Sequence, residues 1–159
     1  MQPVIKNHST ITLIGKRQAM TFAEDLSVVM WQSFMPRRHE IENILGEDLY
    51  SVQVYPEEFD FGRHTPFTKW ATVRVSESAL IPDGMEKLVI PGGLYAVFLY
   101  KGIPADAEPF FRFIFTEWLP TSGYVLDNRP HFEILGAKYQ HNHPDSEEEV
   151  WIPIKDNTN

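Results

Sequence analysis

The chain repeats itself, faintly but in order. Phe34-Met35-Pro36 has a counterpart in Trp118-Leu119-Pro120, and the run KWATVRV (69–75) has one in VWIPIK (150–155). Each half reads strand, helix, strand, strand. In the first, STITLIGKRQAM (9–20) carries alternating β-branched residues, as one strand or two short ones. A helix is predicted over 26–45, where Leu26, Val29, Met30, Phe34, Ile41 and Leu45 recur at helical spacing and Pro36 ends or kinks it. DLYSVQVYP and FTKWATVRV then alternate as strands on either side of the turn-rich EEFDFGRHTP. The second half opens with KLVIPGGLYAVFLYKG, two strand-like runs broken at Pro91, Gly92 and Gly93. It continues through a helix over 106–119 and ends in HFEILGAKY and EEVWIPIK, a hairpin pair joined by a polar loop. Such a repeat predicts an α+β fold: duplicated β-α-β-β modules, over about residues 9–77 and 85–155, related by a pseudo-twofold axis and joined in one curved, mainly antiparallel sheet with two main helices. The 159 residues make one domain.

Charge narrows the function. Fourteen Lys plus Arg stand against 22 Asp plus Glu, a net charge of -8, and the basic residues are scattered. A phosphate backbone would find no electrostatic footprint, so direct nucleic-acid binding is not expected. The absence of cysteine removes disulfides, thiolate nucleophiles and cysteine zinc sites. No apolar run suits a signal peptide or a membrane span, which reads as a cytoplasmic protein without a membrane partner. His141 and His143 sit two apart in a polar loop, poor geometry for a metal, and none is expected. No cofactor is expected either: haem would need His or Met in the aromatic cleft, where neither is predicted to fall.

One residue resists the pattern. Glu133 lies between Phe132 and Ile134 in what otherwise reads as a buried strand, where an unpaired carboxylate costs several kcal/mol. Side chains of a strand alternate faces. Trp70, Trp151 and Glu133 are each out of phase with their aliphatic neighbours, and if the aliphatic rows face the helices, all three share the other surface. There Glu133 either pairs with an internal cation such as Arg129 or Lys138, meets a cationic ligand between aromatic walls, or acts as a general acid or base. Trp31 and Trp118, near the ends of the two helices, fit either helix-on-sheet packing or a pocket wall. Tyr55 and Tyr95 are further candidates for the lining.

WLPTSGY, RPHFEI and EEEVWIPIK, with MWQSF in the first helix and VIPGGLYAVFLYKG upstream, resemble the GyrI-like small-molecule-binding domain, also called the bacterial transcription-activator effector-binding domain. The resemblance covers nearly the whole chain. It implies two β-α-β-β modules around an aromatic ligand cleft with a central acid, which the P-x-F-E pattern places at Glu133. Where relatives often carry tyrosine two positions later this chain has Leu135, so one hydrogen-bonding group of the pattern is absent. Relatives fused to DNA-binding helices sense hydrophobic and often cationic compounds. With the domain filling the chain, a stand-alone version is expected. It would bind a small hydrophobic or amphipathic molecule, cationic ones included, through Glu133, Trp70, Trp118, Trp151, Tyr95, Trp31 and Tyr55. Other members resemble hydrolases of cyclopropane-containing toxins, a reading in which Glu133 and Tyr95 would be catalytic. Still others resemble inhibitors of a protein partner such as DNA gyrase.

Overall fold

The computed structural model describes residues 1–157. In chain order the elements are β1 (Val4–His8), β2 (Ile11–Met20), α1 (Ser27–Phe34), β3 (Ile44–Val54), β4 (Phe67–Val75), β5 (Glu86–Ile90), β6 (Gly93–Lys101), α2 (Glu108–Phe113), α3 (Leu119–Thr121), β7 (Tyr124–Leu126), β8 (His131–Leu135) and β9 (Glu147–Asp156). All strand pairs are antiparallel, and the strand order is β1-β6-β9-β8-β3-β4-β2-β5, with β7 on β9. That order reads the same from both ends once the halves are exchanged, with the pseudo-twofold axis between β3 and β8.

Two strands, β1 and β7, were not legible in the sequence, and for β5, read there as a strand-like run, the pairing across the halves was not. β1 pairs with β6 and β5 pairs with β2, so each half lends a strand to the other. The short bends that precede β2 and β6 lie against each other: a Cβ on Gly92 would stand 2.8 Å from the His8 carbonyl oxygen.

Both prolines of the repeated motif mark departures from α geometry. α1 stops at Phe34 and a 3-10 segment, Met35–Glu40, follows with Pro36 inside its first turn. The predicted first helix is therefore too long: Leu45, assigned to it, lies in β3, which starts at Ile44. In the second half Ile114–Trp118 widens into π geometry, the Leu119 N–H donating to the Ile114 carbonyl. Pro120 follows directly and has no N–H with which to continue an α ladder.

Both faces of the sheet are apolar. α1 covers Ile14, Ala71, Val73 and Val75 with Met30 and Phe34. α2 and the segment after it cover Ala96, Phe98, Val150, Ile152 and Ile154 with Ile114. A third cluster of Leu13, Tyr50, Val52, Trp70, Ile90, Tyr95, Val97, Phe132 and Trp151 contains no helical residue. Seven strands contribute to it, so the sheet curls into a half-barrel around its own side chains. Phe132 and Trp151 stack there at 5.3 Å, and full burial of one such aromatic stabilises the fold by about 2 to 3 kcal/mol.

Among the described residues no helix is long and apolar enough to cross a membrane.

Candidate functional site

α1 lies over β2 and β4, and α2 over β6 and β9. Between the helices the central pair β3–β8 is left as a seam. Its register decides what the seam displays. Tyr50 and Val52 of β3, with Phe132 of β8, belong to the concave cluster. The alternate residues Ser51, Gln53, His131 and Glu133 therefore point between the helices, with Ser51 opposite Glu133 and Gln53 opposite His131. Gln53 also sits opposite Lys69 of β4.

This placement corrects the phase argument. The row containing Phe132 and Ile134 faces the concave core, not the helices, so Glu133 does not share a surface with Trp70 and Trp151. Trp70, Trp151 and Tyr95 are packed inside the concave cluster, Tyr95 with 1% of its surface exposed. Trp31 packs edge-on against Phe34, and Trp118 edge-on against Phe98, each partly buried on its own helix's core. Of the sequence candidates, Glu133 and Tyr55 are brought together.

The internal cations named for Glu133 are elsewhere. Arg129, its side chain 8% exposed, pairs with Asp127 at 2.7 Å and lies 4.6 Å over the Tyr95 ring. Lys138 is exposed. Among the described residues no cation stands within ion-pair distance of Glu133. Its hydrogen-bond partner is Gln53, whose Nε2 donates at 3.3 Å.

Aromatic residues that sequence reasoning passed over build the walls. Phe59 and Phe61 come from the turn-rich β3–β4 connection. Tyr55 stacks on Phe59 at 4.7 Å, meets Phe61 at 5.1 Å and touches His131 edge-on at 4.9 Å. Phe115 reaches in from the π-helical turn, 5.6 Å from Phe61 and 6.3 Å from His131. Phe115 also packs against the α2 core, to which neighbouring Ile114 and Trp118 belong. The available signal was two phenylalanines, Phe59 and Phe61, two apart in a polar loop. Glu58 and Phe61 hold that loop in left-handed conformations, at φ of 61° and 58°, which cost about 1 kcal/mol or more each for side chains of this kind. An open concavity of about 340 Å³ adjoins the cluster and shares Tyr55 as a wall, with Ala19, Val54 and Phe67.

The electrostatics follow from burial. Burial pushes the Glu133 carboxyl up to about 7; the Lys69 charge opposes this, Glu148 adds to it, and the Gln53 hydrogen bond opposes it. Glu148, half-buried on β9, is raised by burial against the pull of Lys69. The Tyr55 hydroxyl is raised by burial and by Glu133. His131 falls to about 3, through burial and then Arg129. Because folded His131 refuses a proton that the unfolded chain accepts near its ordinary 6.5, its neutral burial loses stability as pH falls below that value. His131→Gln should flatten the loss between pH 6.5 and 4 by about 1 to 2 kcal/mol relative to wild type in urea unfolding. Parallel curves for the two proteins would mean that His131 is not buried neutral.

The sequence model of the GyrI-like small molecule binding domain matches residues 1–155. The chain belongs to this family. As a GyrI-like small-molecule-binding domain it is 26% identical over 156 residues to the transcriptional regulator BrlR of Pseudomonas aeruginosa; the match covers 97% of this chain and 56% of that regulator, so the chain spans about half the regulator's length. The fold is shared with SAV2435 bound to tetraphenylphosphonium, at TM-score 0.69 and 14% identity over 98% of this chain and 94% of that one. It is shared too with EcmrR in a DNA complex, at TM-score 0.72 and 15% identity over 98% of this chain and 57% of that one. At such identities the structures establish the GyrI-like architecture alone.

Proposed function

We propose that the β3–β8 seam binds small hydrophobic or amphipathic molecules that carry a positive charge, as a drug or toxin sensor or a sequestering protein. The observation that carries this reading is Glu133: a carboxylate at the centre of the sheet, without a cation in ion-pair reach among the described residues, and beside Tyr55 and His131. Aromatic faces add about 0.5 to 2 kcal/mol of cation–π attraction to the hydrophobic term, and the carboxylate supplies the countercharge. Tetraphenylphosphonium in SAV2435 is a ligand of this chemistry.

Calorimetric titration at pH 8 tests it, with tetraphenylphosphonium beside triphenylphosphine oxide, a neutral molecule with three of the same phenyl rings on phosphorus. The cation should bind at micromolar concentration and at least about tenfold more tightly than the neutral molecule. Equal affinities would remove the role of Glu133, and no binding of either would remove the seam as a site.

The near-neutral carboxyl also favours a second reading, general acid–base hydrolysis of cyclopropane-containing electrophiles. Tyr95, the partner assigned to that chemistry, lies in the concave cluster, so water oriented by Gln53 or Tyr55 would have to serve. Mass spectrometry of such compounds after incubation with the protein separates the readings: ring-opened product demands the second, and unchanged compound leaves the first.

A further inference from the structure

The seam contains an ammonium group of its own, and its position is unusual. Lys69 lies on the same face as Glu133, in the row of Gln53 and His131. Its charge acts on both Glu133 and Glu148, yet it pairs with neither. Instead Nζ donates to Ser27 Oγ at 2.8 Å, and that hydroxyl donates to Asp25 Oδ1 at 2.5 Å. Ser27 also donates its backbone N–H to Asp25 at 2.8 Å. Ser27 is the first residue of α1, so the ammonium is held at a helix N-terminus, where the peptide dipoles oppose a cation. The exposed Asp25 carboxylate, two bonds removed, compensates.

Such a tether holds Lys69 without holding it tightly. The four-carbon stem is flexible, and the neighbouring carboxylates offer an alternative partner. We infer that Lys69 is a specificity-determining residue: parked on Ser27 it leaves Glu133 to a ligand's cation, and released from Ser27 it occupies the carboxylate as an internal competitor. The inference rests on the seam being the binding site. Its consequence is a graded charge preference. Glu133 and Glu148 present two carboxylates, and Lys69, held through Ser27 towards Asp25, offsets them only in part, so the resting seam favours a cation. Removing Lys69 leaves both carboxylates uncompensated and favours cations further.

The test is a double-mutant cycle on the full chain, read by titration with tetraphenylphosphonium and triphenylphosphine oxide. Lys69→Met should tighten the cation about tenfold, the worth of one partly screened charge at this range, and leave the neutral probe within about twofold. Ser27→Ala, at a half-exposed position, should weaken the cation about three- to tenfold by freeing the ammonium to reach Glu133. In the Lys69→Met background the same Ser27→Ala change should have no effect, which a merely structural role for Ser27 would not produce. Unchanged or weaker cation binding by Lys69→Met overturns the inference, as does an equal Ser27→Ala effect with and without Lys69. If Lys69→Met fails to fold, the Ser27→Ala result alone decides, unchanged affinity overturning it. A wild-type protein that binds neither probe brings down the binding reading itself; one that binds the cation while Lys69→Met binds it equally brings down only the role of Lys69.

Discussion

Gly15→Ala should destabilise the protein by about 3 kcal/mol or more, the largest effect expected of any single methyl group added to this chain. A Cβ at position 15 would stand 1.8 Å from the Ala71 carbonyl oxygen and 2.8 Å from the Thr72 Cα. Both are backbone atoms of a central strand, and no rotamer change relieves them. The close approach comes from the curl of the sheet. β2 pairs with β5 through Ile11–Gly15 and with β4 through Leu13–Met20. Within the overlap, Leu13–Gly15, it sends Leu13 into the concave core and Ile14 under α1. A strand that bends around a barrel corner needs a residue without a side chain where it presses on its neighbour. Gly136→Ala is the internal comparison, because its nearest contact is the movable Asp48 side chain at 3.3 Å. Urea unfolding followed by tryptophan fluorescence should separate the two clearly. A Gly15→Ala midpoint equal to that of Gly136→Ala would mean that β2 does not approach β4 this closely.

The same curl explains why the fold was more legible than the site. Alternation in DLYSVQV and KWATVRV, and the repeated proline motifs, locate the modules because each depends on neighbours a few residues away. Alternation also says which side chains share a face. It does not say which face meets the helices when both faces are buried. For Trp70 and Trp151 the assumption that aliphatic rows lie under helices holds, since Ala71, Val73, Val150 and Ile152 do lie there. For β8 it fails, because Phe132 and Ile134 pack against the concave core. One wrong assumption thus put a carboxylate beside two tryptophans that it faces away from. Lys69 was invisible for another reason. Its partner Ser27 is 42 residues away, and no local pattern announces a contact made only by folding. The exchange of β1 and β5 is non-local in the same way.

Glu133→Gln should change the protein in two opposite directions. Without ligand, the carboxyl stands at about 7 in the fold against an ordinary 4.5. Between those values the folded chain holds a proton that the unfolded chain has released, so stability falls as pH rises, and the loss is complete above 7. Water reaching the half-buried group reduces the loss to about 1 to 2 kcal/mol. Glutamine, neutral at every pH, escapes it. The variant should therefore be more stable than wild type at pH 8 by about that amount, and no more stable at pH 4, in urea unfolding at both values. With ligand the ranking reverses: loss of the countercharge should weaken tetraphenylphosphonium by about 30-fold at pH 8, the worth of a partly desolvated charge interaction. Wild-type affinity should also rise with pH through about 7, as a bound cation favours the ionised carboxyl. His131, neutral down to about 3, and Tyr55, raised above its ordinary value, do not titrate in that range. Glu148 is raised in the same direction, by burial against the pull of Lys69. A variant of wild-type stability at pH 8, together with a wild-type affinity flat from pH 5 to 9, would show that Glu133 is neither strained in the free protein nor engaged in the complex. The opposed result would mean that the seam keeps an uncompensated carboxylate at a cost in stability because the ligand supplies its missing charge.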